Sequence, residues 1–161
     1  MRPARPLAVA ALLVLLLAGC GDQRPAEKAV PFSRESLDGH VFVLPRDGDG
    51  TVVALHFWSG ASAGDGSQLA ALDELWRSRR AQGLLLLAVD VGESRETAAR
   101  FLAGRRLGYP VVLDPAAALA RAYGVTELPA TVLIDRDGLI ASRIPGTIPF
   151  AVVGSVVKSL Q

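Results

Sequence analysis

Seven consecutive uncharged residues, Val52 to Trp58, constrain this chain more than any other stretch. The run VVALHFW is apolar and rich in β-branched and aromatic residues apart from His56, which is the pattern of a central strand covered on both faces. It breaks at Ser59 into small residues and glycines, GASAGDG, and then Leu69, Leu72 and Trp76 recur at helical spacing. That order is strand, loop, helix. A second apolar run, Leu84 to Val91, carries Asp90 near its carboxyl end and is again of buried parallel type. In the helix between them, Asp73, Glu74 and Arg77 are available for the wet side, and the helix should stop near Gly83.

The flanking segments fill in the same alternation. Leu37-Asp38-Gly39-His40 is a turn signal ahead of the extended run Val41 to Leu44, giving an N-terminal hairpin. Asp47-Gly48-Asp49-Gly50 lacks the distal Glu of a calcium loop and reads as a turn. A helix is expected over Glu93 to Arg106 behind Ser94 as N-cap, then an extended Tyr109 to Leu113. A further helix should start at Asp114-Pro115 with the proline in its first turn, and carry Leu119, Ala122 and Tyr123 up to Gly124. Thr131 to Asp135 and Leu139 to Ile144 are the arms of a hairpin turned at Arg136-Asp137-Gly138. Val152, Val153, Val156, Val157 and Leu160 mark a closing amphipathic helix. The fold class is therefore α/β, a mixed sheet with helices on both faces.

The N-terminus is set apart. Arg2 and Arg5 precede the apolar run Leu7 to Ala18, which is short for a membrane span and ordered like a secretory signal peptide. Its end, Leu17-Ala18-Gly19-Cys20, resembles the lipobox of bacterial lipoproteins. That resemblance implies cleavage before Cys20, acyl chains on its sulfur, and a protein held on the outer side of a bacterial membrane. The expected organisation is a leader over 1–20, a polar tether over 21–31 with Pro25 and Pro31, and one domain over 32–161. Cys20 is the only cysteine, so residues 21–161 contain no thiol and no disulfide. Without Arg2 and Arg5, 15 basic residues face 16 acidic ones. The arginines at 77, 79, 80, 100, 105 and 106 lack interleaved aromatics and read as solvated helix faces, so no nucleic-acid partner is expected. No cofactor is expected either, and His56 has no second His nearby in sequence to support a metal site.

Two segments carry a family resemblance. VVALHFW with its loop and following helix resembles the active-site segment of thioredoxin-like proteins of the TlpA and redoxin (AhpC-TSA-like) group. Gly124-Val125-Thr126-Glu127-Leu128-Pro129-Ala130-Thr131 resembles that group's GVxxLPxT segment. The stretch from Val89 to Val125 is similar to the group's central αβ insertion. The resemblance implies a thioredoxin-like fold, a cis peptide before Pro129, and a Leu128 backbone free to pair with an extended peptide. It also puts Ser62 and Asp65 where the group carries its two cysteines. The thiolate that attacks a disulfide and the thiol that resolves the intermediate both lack a side chain here.

What remains is a loop and a groove. Asp65 with Gln68 fits a capping box at the start of the following helix. Ser62 as a nucleophile activated by Asp65 or His56 would need a positioned base and an oxyanion hole that the local sequence does not supply. The groove would be lined by Trp58, Gly60, Ala61, Ser62, Leu128 and Pro129, and would take an extended segment of another envelope protein by strand-like pairing. The alternatives are membership of a thiol-disulfide oxidoreductase system in which a partner supplies the thiols, chemistry of Ser62 and Asp65 not recognisable from residue types, and a purely structural role for Trp58 and Pro129.

Overall fold

The computed structural model describes residues 26–62, 66–147 and 150–160. Seven strands and four helices are described: β1 (Phe32–Glu35), β2 (Val41–Leu44), β3 (Val52–Trp58), α1 (Ser67–Arg79), β4 (Leu84–Val91), α2 (Arg95–Leu102), β5 (Val111–Asp114), α3 (Ala118–Ala122), β6 (Ala130–Ile134), β7 (Ile140–Pro145) and α4 (Phe150–Leu160). The main sheet has the order β5-β4-β3-β6-β7. Its first three strands are parallel, and β6 runs antiparallel to both of its neighbours, β3 and β7. The fold class is the one the apolar runs imply: every residue of β3 is buried, as is all of β4 except Leu85.

Alternation along these strands divides the core in two. Val53, Leu55 and Phe57 face Leu119, Ala120 and Tyr123 of the α3 region and Phe32 and Leu44 of the β1-β2 hairpin. Val52, Ala54 and Trp58 face Leu69, Leu72 and Leu75 of α1 and Val153 and Val157 of α4. The hairpin joins the β5 edge through a Ser36–Val112 bridge and a bond from Leu37 N–H to Val111 O at 2.8 Å. The carboxyl ends of β3 and β4 and the start of β6 therefore meet at one end of the sheet. The turn from Asp135 to Leu139 lies at the other end, which carries the amino end of β3.

Several local expectations are corrected. Asp73 is not on the wet side of α1: it is buried, accepting from Gly108 N–H at 2.6 Å and from Arg77 Nε at 2.6 Å. Trp76 is only half-buried, with the Arg80 guanidinium 4.8 Å from its ring centre. The first helix does run out at Gly83, whose φ of 89° closes a 3₁₀ turn over Arg80–Gln82. α2 stops at Leu102, well short of Arg106. Pro115 stands outside α3, which begins at Ala118 because the Asp114 carboxylate accepts from Leu119 N–H at 3.1 Å and Ala120 N–H at 2.9 Å.

The domain also begins earlier than residue 32. Ile140 N–H donates to Glu27 O at 2.7 Å and Ala29 N–H to Gly138 O at 2.8 Å, so this segment makes an antiparallel β-bridge, Lys28 to Leu139, just before β7. The Tyr123 hydroxyl donates to Val30 O at 2.8 Å, and Arg143 pairs with Glu27 at 2.6 Å.

Candidate functional site

The loop that leaves β3 is a closed turn as far as it is described. Ser59 N–H donates to Ser62 Oγ at 2.8 Å, Ser62 N–H donates to Ser59 O at 3.0 Å, and the Ser62 hydroxyl donates back to Ser59 O at 3.1 Å. Ser62 is thereby committed to its own turn. His56, a candidate base, is buried in β3 with Nδ1 3.0 Å from Thr131 Oγ1, and burial lowers its pKa to about 4. It is a structural histidine that stays neutral and bridges β3 to β6. Asp65 and Cys20 lie outside the described residues, so neither the capping of α1 by Asp65 nor the lipid site is described. Gly66 occupies the N-cap of α1, with a left-handed φ of 78° and no side-chain bond.

Across the loop, the Leu128–Pro129 peptide is cis. Ala130 pairs with Phe57 in the antiparallel register, which carries Pro129 level with Trp58 and Leu128 level with Ser59. Pro129 is buried and its carbonyl accepts from Gly146 N–H at 2.7 Å. Leu128 is half-buried, and its N–H and C=O have no backbone partner among the described residues. Gly60, Ala61 and Ser62 on one side and Leu128 and Pro129 on the other thus come to the same end of the sheet. Ala61 is the exposed member of the set.

Trp58 does not line this groove. It is 0% exposed, stacked at a tilt on Phe101 with ring centres 5.2 Å apart, and its Nε1 donor has no partner among the described residues. Its place is in the floor beneath the loop.

Two carboxylates complete the site, and reasoning from the sequence passed over their role. Glu93 Oε2 accepts from Gly60 N–H at 2.8 Å, tying the turn to the segment after β4. Gly60 fits there because it lacks a side chain: a Cβ would sit 3.1 Å from Glu93 Oε1 and 3.3 Å from the Phe101 ring. Asp90, the register partner of Trp58, is 0% exposed, and among the described residues no N–H or O–H donor reaches either of its oxygens, the Glu93 carboxyl being its one polar neighbour. Burial first, and the Glu93 carboxylate beside it second, push the Asp90 pKa up to about 7. The available signal was a single carboxylate in the otherwise apolar run LLLLAVDV, three residues before a second one. The site can hold a proton and offer unpaired backbone groups. Among its described residues it presents no nucleophile paired with a base.

The fold has known relatives. The sequence pattern of the AhpC/TSA family matches residues 25–143. The thiol-disulfide oxidoreductase ResA of Halalkalibacterium halodurans is 32% identical over 117 residues, which span 73% of this chain and 66% of that protein's length. A Chlorobium tepidum structure assigned as the thiol:disulfide interchange protein DsbE superimposes with a TM-score of 0.76 at 27% identity, over 84% of this chain and 97% of that one. The exposed lipoprotein thioredoxin of Streptococcus pneumoniae gives 0.74 at 24% identity, over 81% and 100% of the two chains, a likeness of fold. On these grounds the chain belongs to the AhpC/TSA family and has the thioredoxin-like fold of its relatives among the thiol-disulfide oxidoreductases.

Proposed function

We propose that this protein is a membrane-anchored, extracytoplasmic member of its family that binds an extended segment of a partner protein and carries out no thiol exchange of its own. The observation that carries the reading is the unpaired backbone of Leu128 beside the closed Ser59–Ser62 turn, in a chain with no cysteine beyond Cys20. A peptide laid along Leu128 would satisfy both backbone groups by strand-like pairing, with Ala61 and the Leu128 side chain as the first apolar contacts. The partner class that fits best is a protein of the thiol-disulfide system to which the relatives belong, since a scaffold without sulfur can hold such a chain without reacting with it.

Anchoring is part of the same proposal. From Cys20 to the docked Glu27 the chain can extend at most about 25 Å. Glu27 joins the domain at the end of the sheet opposite the groove. A lipid on Cys20 would therefore hold the domain close to the membrane, and Cys20→Ser should move the protein from the membrane to the soluble fraction.

The binding reading is tested by placing a photo-crosslinking residue in cells at Ala61 or at Leu128, with the exposed Glu74 on α1 as control. Both groove positions should yield the same partner through the same extended segment, and Glu74 should not. Different partners from the two positions, or equal capture from Glu74, would remove the reading.

A further inference from the structure

The Gly60 N–H, the second backbone donor after β3, is held by a side chain from a different segment. Glu93 accepts that donor at 2.8 Å, while Asp90, three residues earlier, is buried beside Trp58, finds no donor among the described residues, and has the Glu93 carboxyl as its hydrogen-bonding neighbour. A carboxyl group left without donors in an apolar setting is strongly favoured in its neutral form.

We propose that Glu93 is the positioning residue of the groove loop and that the proton on Asp90 operates it. This rests on the groove reading above and adds its regulation. With Asp90 neutral, Glu93 alone carries charge and keeps Gly60 N–H. When Asp90 loses its proton, two carboxylates face each other in a poorly solvated place. Glu93, which is half-buried, turns outward to water while Asp90 cannot, and the Ser59–Ser62 turn is released.

The elements packed around the pair bring their own charged and titratable groups. From β3, His56 lies on the same sheet face as Trp58 and Asp90 and is neutral, held so by burial. From α1, the Asp73 carboxylate is occupied by Gly108 and Arg77. From the end of α2, the Arg105 guanidinium lies over the Phe101 ring, 4.4 Å from its centre. The Tyr109 hydroxyl donates to Leu69 O. From β5, Asp114 pairs in register with Val91, on the opposite sheet face, where it binds two α3 amides and has Arg34 at 3.6 Å. Burial and Glu93 together place the change near neutral pH, at about 7.

The direct readout is the Gly60 amide, followed by NMR and hydrogen exchange in the isotope-labelled full chain from about pH 5 to about pH 9. Its resonance should titrate near neutrality, and its protection, corrected for intrinsic exchange, should fall about ten-fold across the transition. Asp90→Asn should hold the amide protected throughout. Glu93→Gln, which keeps an acceptor and removes the charge, should abolish the titration with the fold intact. A wild-type Gly60 amide indifferent to pH, or a titration unchanged in both variants, would overturn the proposal. No peptide is needed for this readout. An unresponsive amide therefore leaves the groove reading standing, and the crosslinking result can fail without disturbing the amide.

Discussion

Asp90 and His56 stand on one face of neighbouring strands, and each is forced by burial into its neutral form. Their effects on stability have opposite signs. An unfolded His56 takes up a proton below its ordinary value of 6.5, while the folded one resists until about 4, so this residue makes stability fall as the pH drops from 6.5 to 4. An unfolded Asp90 gives up its proton above 3.8, while the folded one keeps it to about 7, so this residue makes stability fall as the pH rises over that window. Each pKa unit corresponds to about 1.4 kcal/mol, which sets an upper limit of about 3.5 kcal/mol for His56 and about 4.5 kcal/mol for Asp90. Between about pH 4 and 6.5 the two slopes cancel. Urea unfolding across that range should therefore show Asp90→Asn gaining stability with rising pH relative to wild type, and His56→Asn losing it. Parallel profiles for the two variants would show that the groups are solvated. His56 was legible in the sequence only as the one polar residue of an apolar strand without a second His to support a metal site, and the structure satisfies it from Thr131. Asp90 was legible only as a position. Its meaning comes from Glu93 and Trp58, which reach it through backbone geometry that no spacing rule states.

Among the elements, the strands could be read because each is a run of one character: β3 spans the whole of VVALHFW, and β4 the whole of LLLLAVDV. Helix ends were less legible because distant groups set them. α3 starts where the Asp114 carboxylate collects two amides, and Asp73 leaves the wet face of α1 because Gly108, 35 residues on, donates to it. The same holds for the segment before β1, whose polar composition reads as tether yet which is bound through backbone and through Tyr123. Tyr123→Phe removes the bond to Val30 O and leaves a half-buried carbonyl unpaired. It should cost about 1 kcal/mol of global stability. Exchange of the Ala29 amide with solvent should quicken by more than the global loss explains, and uniform quickening would mean that Tyr123 acts through the core alone.

For the whole molecule, the fold is that of its relatives among the thiol-disulfide oxidoreductases, while residues 21–161 of this chain contain no cysteine. The cis peptide before Pro129, the unpaired Leu128 backbone and the turn beneath which Trp58 is buried occupy one end of the sheet. Trp58 was misplaced in the groove by reasoning from the sequence because an aromatic residue at the mouth of a loop reads equally as wall or floor. Only packing against Phe101 decides for the floor. The most direct measurement is the reduction of a small disulfide peptide by the purified wild type and by the folded Ser62→Cys/Asp65→Cys double variant. The expected result is no reduction above background by wild type and clear turnover by the double variant, which would mean that the groove still presents a peptide to the two positions where the thiols belong. Turnover by the wild type, or none by the folded double variant, would contradict it.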